Sequence, residues 1–150
     1  MADAPLKTRV LEDTKRSMKN RDKARVAVLR LVAAAIKQRE VDERCELDDS
    51  QIVAVLDKMA KQRRESIDQY GKAGRQDLVE QETFELNLIR DYLPAALSDA
   101  EIEALIDAAI AETGAQSARD MGKVMGLLRP KVQGRTDMAA LSGRVKSQLA

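Results

Sequence analysis

From Leu6 to Leu149 the apolar residues of this 150-residue chain recur at steps of three and four almost without interruption. That spacing sets them along one side of successive α-helices. No stretch alternates apolar and polar residues with β-branched enrichment, so no strand is expected. Aromatic side chains are scarce: two Tyr, one Phe and no Trp. The cores must therefore be built from Leu, Ile, Val, Ala and Met. A chain of this length buries roughly 70% of its unfolded surface, enough for a core without disulfides or metals.

Punctuation divides the pattern into helices. Pro5 suits the first turn of a helix with Leu6, Val10, Leu11, Thr14 and Met18 on one side. Asp22 is a candidate N-cap for Ala24 to Ile36, which is apolar on most faces and so expected to lie centrally. An acidic loop, Val41 to Glu46, follows. Asp48 or Asp49 caps a long helix from Ile52 to Tyr70, which Gly71–Gly74 ends. Asp77 with Glu80 reads as a capping-box-like start to a helix reaching Tyr92, stopped by Pro94. Ser98 with Glu101 opens another helix, ended by Gly114. Ser117 opens the next, with its end disturbed by Pro130 and Gly134, and Asp137 caps the last. The expected fold class is all-α. Residues 1–94 read as an N-terminal four-helix unit and residues 95–150 as a small C-terminal three-helix unit, linked at Pro94–Leu97.

Several chemistries are excluded by composition. There is no His, which removes the commonest general base and every His-based metal site. The single cysteine, Cys45, allows no internal disulfide or zinc cluster. Its acidic neighbours Asp42, Glu43, Glu46 and Asp48 raise a thiol pKa, the wrong direction for a nucleophile. Phosphate-loop, nucleophile-elbow and dinucleotide fingerprints are missing, so neither a catalytic residue nor a cofactor is expected. The carboxylates near Asp48 read as a cap and solvated acids rather than a metal site. No run of about 18 apolar residues occurs, and Met1–Lys7 lacks an apolar signal core. The expectation is a soluble cytoplasmic protein with no membrane partner.

The net charge of +1 conceals alternating blocks. Many of these can pair between helices, but residues 113–150 hold seven Lys/Arg against two acids. Two positions also break the apolar stripes. The stripe through Ile52, Val55, Leu56, Met59 and Ile67 passes through Gln62 and Arg63, and the stripe of the following helix passes through Glu82. Across the Gly71–Gly74 turn these meet as a semi-buried Arg63–Glu82 pair, with Glu85 as substitute partner. Such a pair fixes helix register.

The segment Arg119 to Arg129 is the second anomaly. At about 100° per residue, Met121, Val124, Met125 and Leu128 cluster on one side. Gly122, Gly126, Arg119 and Arg129 fall on the other, with Lys123 beside them. Glycine inside a helix costs roughly 1 kcal/mol against Ala. Glycines facing away from the core, flanked by bases, suit a phosphate or a partner helix. Arg119, Gly122, Lys123, Gly126, Arg129 and Lys131 are the candidate nucleic-acid-binding residues.

The chain resembles the GatB/YqeY family, which comprises stand-alone YqeY-like proteins and the tail of the tRNA-dependent amidotransferase B subunit. The match rests on Leu29-Arg30, Ala35 to Asp42, Lys58-Met59, Lys61 to Ser66, Gly74-Arg75, Asp77-Leu78, Tyr92-Leu93-Pro94 and Asp120 to Gly126. It covers residues 6–149 and is of the stand-alone type. The resemblance implies an all-helical pair of units and a non-catalytic module of tRNA-binding type, carried mainly by Asp120–Gly126. tRNA is the implied partner, with an amidotransferase or aminoacyl-tRNA synthetase as a possible protein partner. It also carries a label, carbon–nitrogen ligase using glutamine as amido-N-donor, whose chemistry belongs to the larger enzyme. A protein–protein adaptor is the alternative.

Overall fold

A computed structural model describes residues 5–150. Met1–Ala4, part of the segment read above for a signal core, lie outside the described residues. The described residues are all-helical, with no strand among them. The order is α1 (Pro5–Lys19), α2 (Lys23–Glu43), α3 (Asp49–Lys72), α4 (Gln76–Arg90), α5 (Asp99–Thr113), α6 (Met121–Val132) and α7 (Met138–Leu149), with a 3₁₀ turn at Ala118–Asp120. Contacts divide the chain after Leu93. No helix among the described residues is long and apolar enough to cross a membrane.

In the first unit, α1 to α4 enclose an aliphatic core around Leu29, Val32, Ile52, Leu56 and Ile89. Asp22 caps α2, accepting from the Arg25 N–H. Asp48 and Gln51 form a reciprocal capping box on α3. The start of α4 differs from expectation: Arg75 precedes it without a side-chain cap. Asp77 instead accepts both Arg75 N–H bonds, at 3.0 and 3.1 Å, which holds its carboxyl below the usual carboxylate range.

Three further expectations are corrected. The α1 stripe is narrower than read: Val10 is buried, but Leu11 and Met18 lie on its flank, about half exposed. Helix α2 is not buried all round. Val28, Leu29, Val32 and Ile36 face the core, whereas Leu31 is 48% exposed. The helix also continues through the residues read as a loop, to Glu43. Pairs one turn apart, Gln38 with Asp42 and Arg39 with Glu43, support that last turn. Arg44 then ends it in the left-handed conformation, φ 54°.

Glu40 is the polar centre of this unit. It is 9% exposed and accepts from Lys7 Nζ at 2.8 and 3.1 Å and from the Leu47 N–H at 3.0 Å. The Lys7 bond, then the Leu47 bond, hold its carboxyl below the usual range. At the chain's other end of the unit, Tyr92 is buried and its hydroxyl donates to Asp13. Arg9 stacks on the Tyr92 ring, 4.6 Å from its centroid, and donates to the Asp91 carbonyl at 2.9 Å. Burial, then the Asp13 bond, push the phenol pKa up.

In the second unit, α5, α6 and α7 surround Ile106, Val124, Leu128, Val132, Leu141 and Val145. Ser98 and Glu101 form the capping box on α5. The segment read as a link is stitched to this unit. The Leu97 N–H donates to the Arg135 carbonyl, and Arg135 Nε to the Ala95 carbonyl, both at 2.9 Å.

Because Glu40 has a depressed folded-state pKa, its contribution is present above the unfolded pKa and lost as pH falls through the folded one. Glu40→Gln should therefore cost about 1.5–3 kcal/mol at pH 7, with the difference from wild type vanishing in acid. Urea titrations followed by helical circular dichroism at several pH values check this. An unchanged difference at every pH would contradict it.

Candidate nucleic-acid interface

The polar residues that interrupt the α3 and α4 stripes meet as the antiparallel hairpin requires. Arg63 donates to Glu85 Oε1 at 3.4 Å. The Arg63 side chain is 17% exposed and Glu85 is buried. Glu82, expected as first partner, is half-buried and makes no hydrogen bond to Arg63 among the described residues. Burial, then the Glu85 charge, raise its pKa, while Arg63 opposes them. Arg63 Nε is buried without a partner. The cluster thus holds one guanidinium against two carboxylates. Arg64, the next residue, is also half-buried.

The glycine-bearing segment departs from one continuous helix. Arg119 lies in the 3₁₀ turn and α6 begins only at Met121, so Arg119 is not a member of the α6 face. Asp120 fixes this turn. Its carboxylate accepts the Gln116 N–H at 3.0 Å, which, with the Ser117 N–H and the Lys123 charge, holds its pKa down. No side chain caps the first turn of α6.

Within α6, Val124, Met125, Leu128 and Val132 are buried, while Gly122, Lys123, Gly126 and Arg129 are exposed. A Cβ built on either glycine meets nothing within 4 Å, so no close helix crossing within the second unit requires them. Lys131 is exposed, but lies about 140° round the helix from Gly126 and on another side. The side chains of Arg119, Lys123, Arg129 and Lys131 make no hydrogen bond or ion pair among the described residues. By contrast, Arg144 is bound to Asp99, and Arg135 to the Ala95 carbonyl.

Pro130 sits inside α6, which runs on to Val132 instead of ending there. Proline has no N–H, so the carbonyl four residues back loses its helical donor. That residue is Gly126. The exposed side of α6 therefore presents cations and glycine backbone, with no helical donor from Pro130 to the Gly126 carbonyl. Sequence reading found the glycines and the cations but passed over the freed carbonyl, although the Gly126–Pro130 spacing is its signal.

A family profile described as Yqey-like protein matches residues 7–149. Three similar proteins share one name, Altered inheritance of mitochondria protein 41, mitochondrial. The Eremothecium gossypii protein is 40% identical over 63% of this chain and 51% of its own length. The Lachancea thermotolerans protein is 34% identical, over 67% and 56% respectively. The Kluyveromyces lactis protein is 33% identical, over 75% and 65%. The match thus spans about half to two thirds of these relatives. Their names overturn the cytoplasmic location expected from the sequence, because each is called a mitochondrial protein.

Three substitutions test this geometry by stability alone. Arg63→Ala strands Glu85 and should cost about 3 kcal/mol. Glu82 has a raised folded-state pKa, so its charge opposes folding above that pKa and the penalty disappears as pH falls through it. Glu82→Gln should therefore raise the urea midpoint at pH 7, with a gain that fades in acid. Gly126→Ala adds a methyl group to open space and should stabilise the second unit by up to about 1 kcal/mol. A loss of stability there would mean that the glycine backbone is packed.

Proposed function

The chain belongs to the YqeY-like family, and we propose that its second unit is a non-catalytic RNA-binding module with tRNA as partner, reading through the exposed side of α6. One observation carries this: Lys123 and Arg129 lie, with no hydrogen bond or ion pair among the described residues, beside two exposed glycines where an added Cβ would meet nothing. Cations without protein partners are free to replace the counterions of a phosphate backbone. Glycines let that backbone approach the helix more closely than any side chain would. The mid-helix carbonyl of Gly126 repels phosphate, which offers only acceptors. It suits a ribose 2′-hydroxyl, the donor that distinguishes RNA from DNA. Arg119 and Lys131, on neighbouring surface, widen the positive field without sharing the α6 face.

The resemblance to the tail of the amidotransferase B subunit, which implies a tRNA-directed module, favours the same reading. A role beside a glutamine-dependent amidotransferase or an aminoacyl-tRNA synthetase fits this surface, because both act on tRNA. Carbon–nitrogen ligation itself is assigned to such a partner and not to residues of this chain.

Affinity for tRNA should fall as salt rises, by roughly 0.7–0.9 log–log slope units per phosphate contact. The double change Lys123→Glu and Arg129→Glu should lower that slope by about 2 and weaken every tRNA alike, because phosphates carry no sequence information. Pro130→Ala restores the donor to the Gly126 carbonyl and should narrow the preference for RNA over DNA of the same sequence. Each variant is first shown to keep its helical signal and melting temperature. Folded variants with unchanged affinity and slope would overturn the RNA reading and leave this side of α6 as a seat for a protein.

A further inference from the structure

Along one side of the first unit, α2 and α3 leave an open groove of about 550 Å³. Its floor is aliphatic, made by Ala35, Ala54, Val55 and Met59. Leu31 lies four and seven residues before Ala35 and Gln38, on the same side of α2. Its exposed side chain continues the apolar strip past the groove. From Leu31 to Asp42 the strip is about 16 Å long, three turns of helix. Two stretches that carry the family resemblance, 35–42 and 58–66, border this groove.

The two walls differ. On α2, Gln38 donates to Asp42 at 2.9 Å, and Arg39 donates to Glu43 and to the Gln51 carbonyl. That wall is satisfied within the protein. On α3, Lys58 and Gln62 are exposed, as is Lys61 one turn on from Lys58, and none makes a hydrogen bond or ion pair among the described residues. The unspent polar groups of the groove are therefore two cations and an amide, all on one rim.

We propose that this groove docks an acidic amphipathic helix of a partner protein, with aliphatic side chains on the floor and carboxylates on Lys58 and Lys61. A trough between two helices with an apolar floor is the shape a third helix fills. The free cations set the sign of its charge. Nucleic acid fits worse. The groove lining includes no aromatic ring on which a base could stack, and its aliphatic floor offers a base or a phosphate nothing to bind. A second copy docking groove to groove would set Lys58 and Lys61 against themselves. The proposal concerns the first unit and does not depend on the RNA reading of the second.

The test is an NMR titration of the isotope-labelled full chain with two synthetic helical peptides. The peptides share a leucine stripe and differ only in flanking residues, Glu in one and Lys in the other. The Glu peptide should shift the amides of residues 35–43 and 54–62 to saturation, and the Lys peptide should bind at least about tenfold more weakly. The double change Lys58→Glu and Lys61→Glu should reverse that order. Both positions are exposed, so the fold should persist. If its melting curve moves, Lys58→Gln with Lys61→Gln should abolish the preference without reversing it. Unsaturable shifts, shifts outside the two helices, or equal affinity for the two peptides would overturn the proposal. So would the same amides responding to tRNA alone or to rising protein concentration alone, which would identify the occupant as RNA or a second copy.

Discussion

The first unit is organised by one carboxylate. Glu40 receives Lys7 from α1 and the Leu47 N–H from the α2–α3 connection. A buried carboxylate with a cation and a backbone donor has only one arrangement that satisfies all of them. That arrangement fixes where α2 ends, how the chain turns, and where α3 starts. Leu47 enters the core two residues before α3 begins. The Leu6 N–H donates to Asp49 at 3.2 Å, bringing the start of α1 to the same corner. The groove between α2 and α3 follows from this geometry.

The second unit separates its cations by use. Arg135 and Arg144 spend their donors on Ala95 and Asp99, binding the entry segment and the start of α5. Arg119, Lys123, Arg129, Lys131 and Lys146 are left over. An excess of positive charge therefore arises from particular residues without structural work, not from composition alone. Exposed cations cost the fold little in water, since their charge is screened there. Their value lies in an encounter with an anionic surface.

Much of this architecture is legible in the sequence because its determinants are local. Ser98 and Glu101, Asp48 and Gln51, and Asp22 with the Arg25 N–H are separated by three residues, and each is visible as a cap. The Arg63 anomaly is legible for a related reason: a polar residue in an apolar stripe needs a partner, and a short turn limits where it can be. The choice of Glu85 over Glu82 is not legible, since both lie on the same side of α4 one turn apart. Glu40 and Tyr92 are invisible for another reason. Their partners Lys7 and Asp13 stand 33 and 79 residues away, and no periodicity connects them. Leu11, Met18 and Leu31 mislead because hydrophobicity marks what a helix can bury, not how many neighbours it receives. Arg119 misleads because a 3₁₀ turn and an α-helix differ by a fraction of a residue per turn, below what spacing resolves.

The Gly126–Pro130 pair has a dynamic consequence. Helix α6 lacks one rung of its hydrogen-bond ladder, and two of its exposed residues have no side chain to shield the backbone. Its inner face is nevertheless held by Val124, Leu128 and Val132. The two sides of one helix therefore differ in stiffness. The outer backbone can open locally without disturbing the core, at a free energy well below that of global unfolding. A surface built this way can adjust its curvature to what it meets, and the entropy lost on contact comes from a few residues of a single helix.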